Sequence, residues 1–143
     1  MKPYSRILAA VDLTEGSRAV VERACDFARA SQGTVWLLHV VEFVPIEPMS
    51  DSLIPVMQID DQIIERARKQ IAALAQEFGL PAGSASVEAG SAKSEILRNT
   101  RANNCDLIVL GARERHGLSI LIHRTEDSVL HGAPCDVLAV RTR

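Results

Sequence analysis

The sequence predicts an α/β fold in which a parallel sheet carries helices on both faces. Three observations lead there. Short apolar runs alternate with stretches whose apolar residues recur at helical spacing, and such alternation requires right-handed crossovers between parallel strands. Several of the runs are almost continuously apolar, the pattern of strands buried on both faces. The length of 143 residues fits one domain, spanning 1–143.

Taken in order, Ile7 to Val11 form the first strand, stopped by Asp12-Leu13-Thr14-Glu15-Gly16-Ser17. Val20, Ala24, Phe27 and Ala28 then mark an amphipathic helix that ends at Gln32-Gly33. Val35 to Val41 is the second strand. Residues Glu42 to Met57 break the rhythm with Pro45, Pro48 and Pro55, and a connection of that length inside a small domain often has a function. The stripe Ile64, Ala67, Ile71, Leu74 and Phe78 predicts a second helix, with Asp60 and Asp61 favouring its positive end and Gly79 and Pro81 closing it. That stripe is expected to pack on the sheet rather than serve a partner. Ser84 to Ala89 alternates and reads as an edge strand. Ala92 to Asn103 is the third helix, with Ile96 and Leu97 inward. Asp106 to Leu110 is the fourth strand, ended by Gly111. Thr125 to His131 is a short helix stopped by Gly132 and Pro134, with Thr125 as its expected N-cap, and Asp136 to Val140 is the last strand.

Composition narrows the function. Hydrophobic residues reach 47% while aromatics are only 3%, so the core is aliphatic and the aromatic-plus-basic surface that binds RNA is missing. A net charge of −2 gives no basic excess for nucleic acid, which is not an expected partner. The first apolar run is too short for a signal-peptide core, and no stretch approaches the roughly 20 apolar residues of a membrane span. Cys25, Cys105 and Cys135 are far apart, with no C-x-x-C spacing, and read as reduced buried thiols. The expected location is the cytoplasm, away from membranes.

Catalytic and metal motifs find no match. His39, His116, His123 and His131 do not pair at i, i+4, and H-E-x-x-H does not occur, so no metal is expected. His39 is expected to pack at the end of its strand. There is no G-x-S-x-G, and Ser17 and Ser119 near the predicted mouth read as caps or solvent contacts. In open parallel sheets ligands bind beyond the carboxyl ends of the strands, where strand order reverses. Those ends carry Asp12, Val41-Glu42, Gly90 and Gly111. Asp12, before Thr14-Glu15-Gly16, suits a turn or ligand-contact role better than catalysis.

The runs Arg6-Ile7-Leu8-Ala9-Ala10-Val11-Asp12, Leu37-Leu38-His39-Val40 and Asp106-Leu107-Ile108-Val109-Leu110-Gly111, with the tail from Ser128 to Val140, resemble the universal stress protein family. The resemblance runs through the whole chain in order. It implies a doubly wound, Rossmann-like five-stranded sheet of the adenine nucleotide alpha hydrolase-like type. It also implies a homodimer paired through the last strand, for which Val137-Leu138-Ala139-Val140 is suitably apolar.

Family members that bind ATP carry G-x-x-G-x9-G-S/T after the fourth strand, where glycines let backbone N–H groups reach phosphate. By resemblance, Asp12 and Val40 fall on base-binding positions, Gly111 on the first glycine and Thr125 on the closing hydroxyl. Glu114 stands at the second glycine and Arg124 at the third, where a like charge and a bulky side chain oppose polyphosphate. Arg113, Arg115 and Arg124 can instead pair with phosphate, and Gly117 in the same stretch is a further candidate contact. The resemblance therefore implies a non-enzymatic stress-response homodimer with a degenerate nucleotide pocket, no required cofactor and protein partners yet to be identified. The alternative is a sensor that binds ATP or AMP in the same pocket. A weak nucleotide hydrolase ranks last, because no catalytic base is evident.

Overall fold

A computed structural model describes residues 3–42, 61–113 and 125–142. Five strands, β1 (Arg6–Ala10), β2 (Thr34–Val41), β3 (Ala85–Ala89), β4 (Leu107–Arg113) and β5 (Asp136–Thr142), form one sheet in the order β3-β2-β1-β4-β5. Every pairing is parallel. Helices α1 (Ser17–Ser31), α2 (Asp61–Glu77), α3 (Ala92–Ala102) and α4 (Thr125–Gly132) make the crossovers. The chain winds outward from β1 to β3, then crosses to β4 on the other side of β1. The strand order therefore reverses between β1 and β4.

The sheet divides the core into two layers. Ile7 and Ala9 of β1, Val35 and Leu37 of β2, and Leu107 and Val109 of β4 face α1 and α2. Their neighbours Leu8, Leu38, Ile108 and Leu110 face Ile96 and Leu97 of α3 and Val129 of α4. Successive side chains point to opposite faces, so a strand covered on both sides must be apolar at nearly every position. The α2 stripe does pack on the sheet, with Ala67, Ile71 and Leu74 buried and Phe78 against the same layer. β3 lies at one edge and is half-buried throughout, in keeping with its alternating sequence. Its Ser86 Oγ accepts from Trp36 Nε1 at 3.2 Å. At the amino ends, the Asp106 carboxylate takes hydrogen bonds from Ser5 N at 2.8 Å and Arg6 N at 3.0 Å, tying the start of β1 to the start of β4.

Most element ends shift by a residue or two from the sequence reading, and the shifts that bear on the site are in β4, β5 and α4. β4 does not end at Leu110 but runs to Arg113, because β5 continues to Thr142 and pairs Gly111 with Val140, Ala112 with Arg141 and Arg113 with Thr142. Gly111 is thus a strand residue rather than the first residue of a turn. Thr125 is the first residue of α4 rather than a cap outside it. The stretch Glu42 to Met57 lies outside the described residues apart from Glu42, as does Asp60. Among the described residues, no helix is long and apolar enough to cross a membrane.

Candidate functional site

A cavity of about 600 Å3 opens at the carboxyl ends of the strands, across the point where their order reverses. Its floor comes from β1, β2 and β4, and its rim from the amino-terminal turns of α1, α2, α3 and α4. Asp12, Val40, Gly111 and Thr125, distant in sequence, all line it. Arg113 is in β4 opposite Thr142, and Gly117 and Arg124, with Glu114 and Arg115, lie outside the described residues.

Asp12 organises the turn after β1. Its Oδ1 accepts from Thr14 N at 3.0 Å, Thr14 Oγ1 at 2.6 Å and Ser17 Oγ at 3.0 Å. This is an aspartate holding a turn and the start of a helix. It also holds Leu13 at φ 60°, a left-handed conformation uncommon outside Gly, Asn and Asp. Gly16, at the head of α1, is required by space, because a Cβ there would lie 2.9 Å from Thr142 Cβ. Gly111 is under no such demand. A Cβ there would meet Thr142 Cγ2 at 3.4 Å and Val20 Cγ2 at 3.5 Å, which is ordinary contact.

His39 is half-buried with Nδ1 2.8 Å from Val11 O. A carbonyl only accepts, so Nδ1 carries the proton, and the ring fastens the ends of β1 and β2. Ser17 donates to Asp12 and His39 turns to the backbone, so neither is part of a nucleophile–base pair with the other.

Two of the helix amino termini at the mouth, those of α3 and α4, are supplied with the protein's own anions. Glu42 Oε1 accepts from Ala92 N at 3.1 Å at the start of α3, and Ser91 Oγ accepts from Ser94 N at 3.4 Å. At α4, Glu126 and Asp127 occupy the first turn. Glu126 lines the cavity, and its Oε1 is buried without a hydrogen-bond partner. A buried acceptor left without a donor costs about 1–3 kcal/mol. Arg66 and the half-exposed Ile63 of α2 form the opposite wall. Sequence reasoning placed Glu42 at a strand end and Thr125 and Glu126 at a helix start. It gave neither glutamate a role in the site and did not foresee Arg66 or Thr142.

A second cavity of about 830 Å3 lies at the amino ends of the strands and includes Trp36, Cys25 and Cys105. Burial, with smaller contributions from Cys135 and Asp106, pushes the Cys105 thiol up to about 11. Burial likewise raises Cys25 and Cys135. These thiols stay protonated at neutral pH and are poor nucleophiles. Among the described residues, no group of three His, Cys, Asp or Glu side chains is placed to hold a metal.

A doubly wound parallel sheet with a cavity across its switch point defines a Rossmann-like α/β protein. The chain belongs to the universal stress protein family, whose model matches residues 3–141. Universal stress protein A homolog 2 of Coxiella burnetii is 33% identical over 144 residues, covering 100% of this chain and 99% of that protein. Among solved structures, universal stress protein UspA from Lactobacillus plantarum superposes with a TM-score of 0.64 at 23% identity, over 99% of this chain and 100% of that one. A universal stress protein in complex with cAMP superposes with a TM-score of 0.66 at 17% identity, over 99% of this chain and 100% of that one.

Proposed function

We propose that the protein is a non-enzymatic, single-domain member of its family that serves the cytoplasmic stress response as a homodimer, with a degenerate nucleotide pocket at the carboxyl ends of its strands. The observation that carries this reading is the state of the amino termini of α3 and α4 at the cavity, together with the turn before α1. Glu42 already takes Ala92 N, Glu126 stands in the first turn of α4, and Asp12 Oδ1 is engaged by Thr14 and Ser17. Polyphosphate sites need free backbone donors and little negative charge. The missing motif glycines at Glu114 and Arg124 weigh the same way. Among the described residues, Ser17 and His39 at the cavity are engaged by Asp12 and by Val11 O rather than by each other, in keeping with a binding role, and protein partners remain to be identified.

A sensor of ATP or AMP is the second reading. The cavity volume of about 600 Å3 is within the range of small-molecule sites, and a structural relative is complexed with cAMP. Asp12, Val40, Gly111 and Thr125 are its described candidate contacts, and Arg113, Gly117 and Arg124 those supplied by the intervening stretch.

Calorimetric titration of nucleotide-free protein with ATP and then AMP, each with magnesium, separates the two. The degenerate-pocket reading expects no ATP binding in the micromolar range. Micromolar ATP binding would make the protein a sensor whose arginines replace the lost glycines.

A further inference from the structure

Two glutamates, Glu42 and Glu126, line the cavity beside the amino termini of α3 and α4. We infer that Glu126, supported by Glu42, makes this pocket a receptor for an uncharged nucleoside and excludes its polyphosphate. The inference rests on the pocket reading above and names its ligand class.

The rim of the cavity holds the amino termini of α3 and α4, which attract negative charge. A ligand phosphate would normally settle against such ends. Here a protein carboxylate stands at each: Glu42 Oε1 on Ala92 N, and Glu126 in the first turn of α4. Arg66, an exposed residue of α2, is the arginine among the described lining residues. Phosphate therefore meets two carboxylates where it would expect open donors.

The same arrangement favours a different partner. Glu126 Oε1 is buried and lacks a donor, so a ligand hydroxyl or amino group satisfies it. Val40, Ile63, Ile96 and Leu110 provide apolar wall for a flat base. A nucleoside combines that apolar face with ribose hydroxyls and carries no charge to repel. An ionised carboxylate accepts such a hydrogen bond more strongly than a neutral amide.

The test titrates wild-type protein and Glu126→Gln with adenosine and with magnesium ATP, after thermal melting has shown that both are folded. Glu126→Ala serves in its place if the glutamine variant melts early. Wild type is expected to bind adenosine at least about tenfold more tightly than ATP. Either substitution should weaken adenosine several-fold, strengthen ATP, and so narrow the ratio by about tenfold or more. Adenosine binding whose preference over ATP does not change in the variants would overturn the role of Glu126 while leaving the pocket in place. ATP binding more tightly than adenosine to wild type would overturn both the inference and the degenerate-pocket reading. Binding of neither ligand by wild type would overturn the inference alone.

Discussion

Asp12 shows how one side chain joins folding to the site. Its carboxylate replaces solvent for Thr14 N, Thr14 Oγ1 and Ser17 Oγ, and so sets the path from β1 into α1 along the rim of the cavity. Replacing it with Ala strands these donors and releases the left-handed turn at Leu13. Asp12→Ala should lose about 1–2 kcal/mol of stability, whereas Asp12→Asn, which keeps an oxygen acceptor, should lose less. Urea unfolding midpoints at constant m-value check this order. Equal losses would show that the carboxylate's charge, not its acceptor geometry, holds the turn. The sequence made Asp12 legible because an aspartate before a Thr-Glu-Gly turn has few other uses. Glu126 was not legible in the same way. An acid in the first turn of a helix is what the dipole favours anyway, so its unpartnered oxygen inside a cavity emerges only from the packing.

Helices α1, α2 and α3 end by a common device with different residues. In α2, Gly79 adopts φ +68°, with Gly79 N bonded to Gln76 O and Leu80 N to Ala75 O. In α1 the left-handed position is Gln32, and in α3 the turn after the helix has Asn104 at φ 51°. Gly33 therefore serves close approach rather than a special φ: a Cβ on it would lie 2.4 Å from Tyr4 O and 3.0 Å from Ser5 O. Because those atoms are backbone, relief requires moving the start of β1, including the Thr34 N to Ser5 O bond of 2.9 Å. Gly33→Ala is expected to cost roughly 2–3 kcal/mol, and Gly79→Ala, with nothing within 4 Å but a left-handed φ, about 1 kcal/mol. Thermal denaturation of both variants tests the ranking. The reverse order would mean that the segment before β1 yields easily. A glycine after a helix reads as a stop in either case, and only coordinates separate the two reasons. The strands were legible because burial on both faces leaves a nearly continuous apolar run. The end of β4 was not, since Gly111 looks like punctuation and its extension depends on pairing with the polar Arg141 and Thr142.

At the scale of the whole molecule, β5 bounds one side of the sheet. It is the outer strand beside β4, with Val137 and Leu138 half-buried and Ala139 exposed. An uncovered strand edge invites pairing with another chain, and two-fold pairing of a second copy would close it. Sedimentation velocity at micromolar concentration is expected to show a dimer that Ala139→Lys shifts towards monomer. A monomeric wild type would remove β5 as a subunit contact. The fold could be read from the alternation of strands and helices, but subunit pairing rests on the family resemblance and on one apolar strand.

Thr142 belongs both to this outer strand and to the lining of the cavity, where it bounds the space beside Gly16 and Gly111. A copy docked along β5 and a ligand seated in the mouth would therefore act on the same short piece of backbone. Linkage then makes their effects mutual: whatever free energy assembly lends to ligand affinity, the ligand returns in full to assembly. A subunit contact at this strand would turn subunit concentration into a variable of the binding equilibrium.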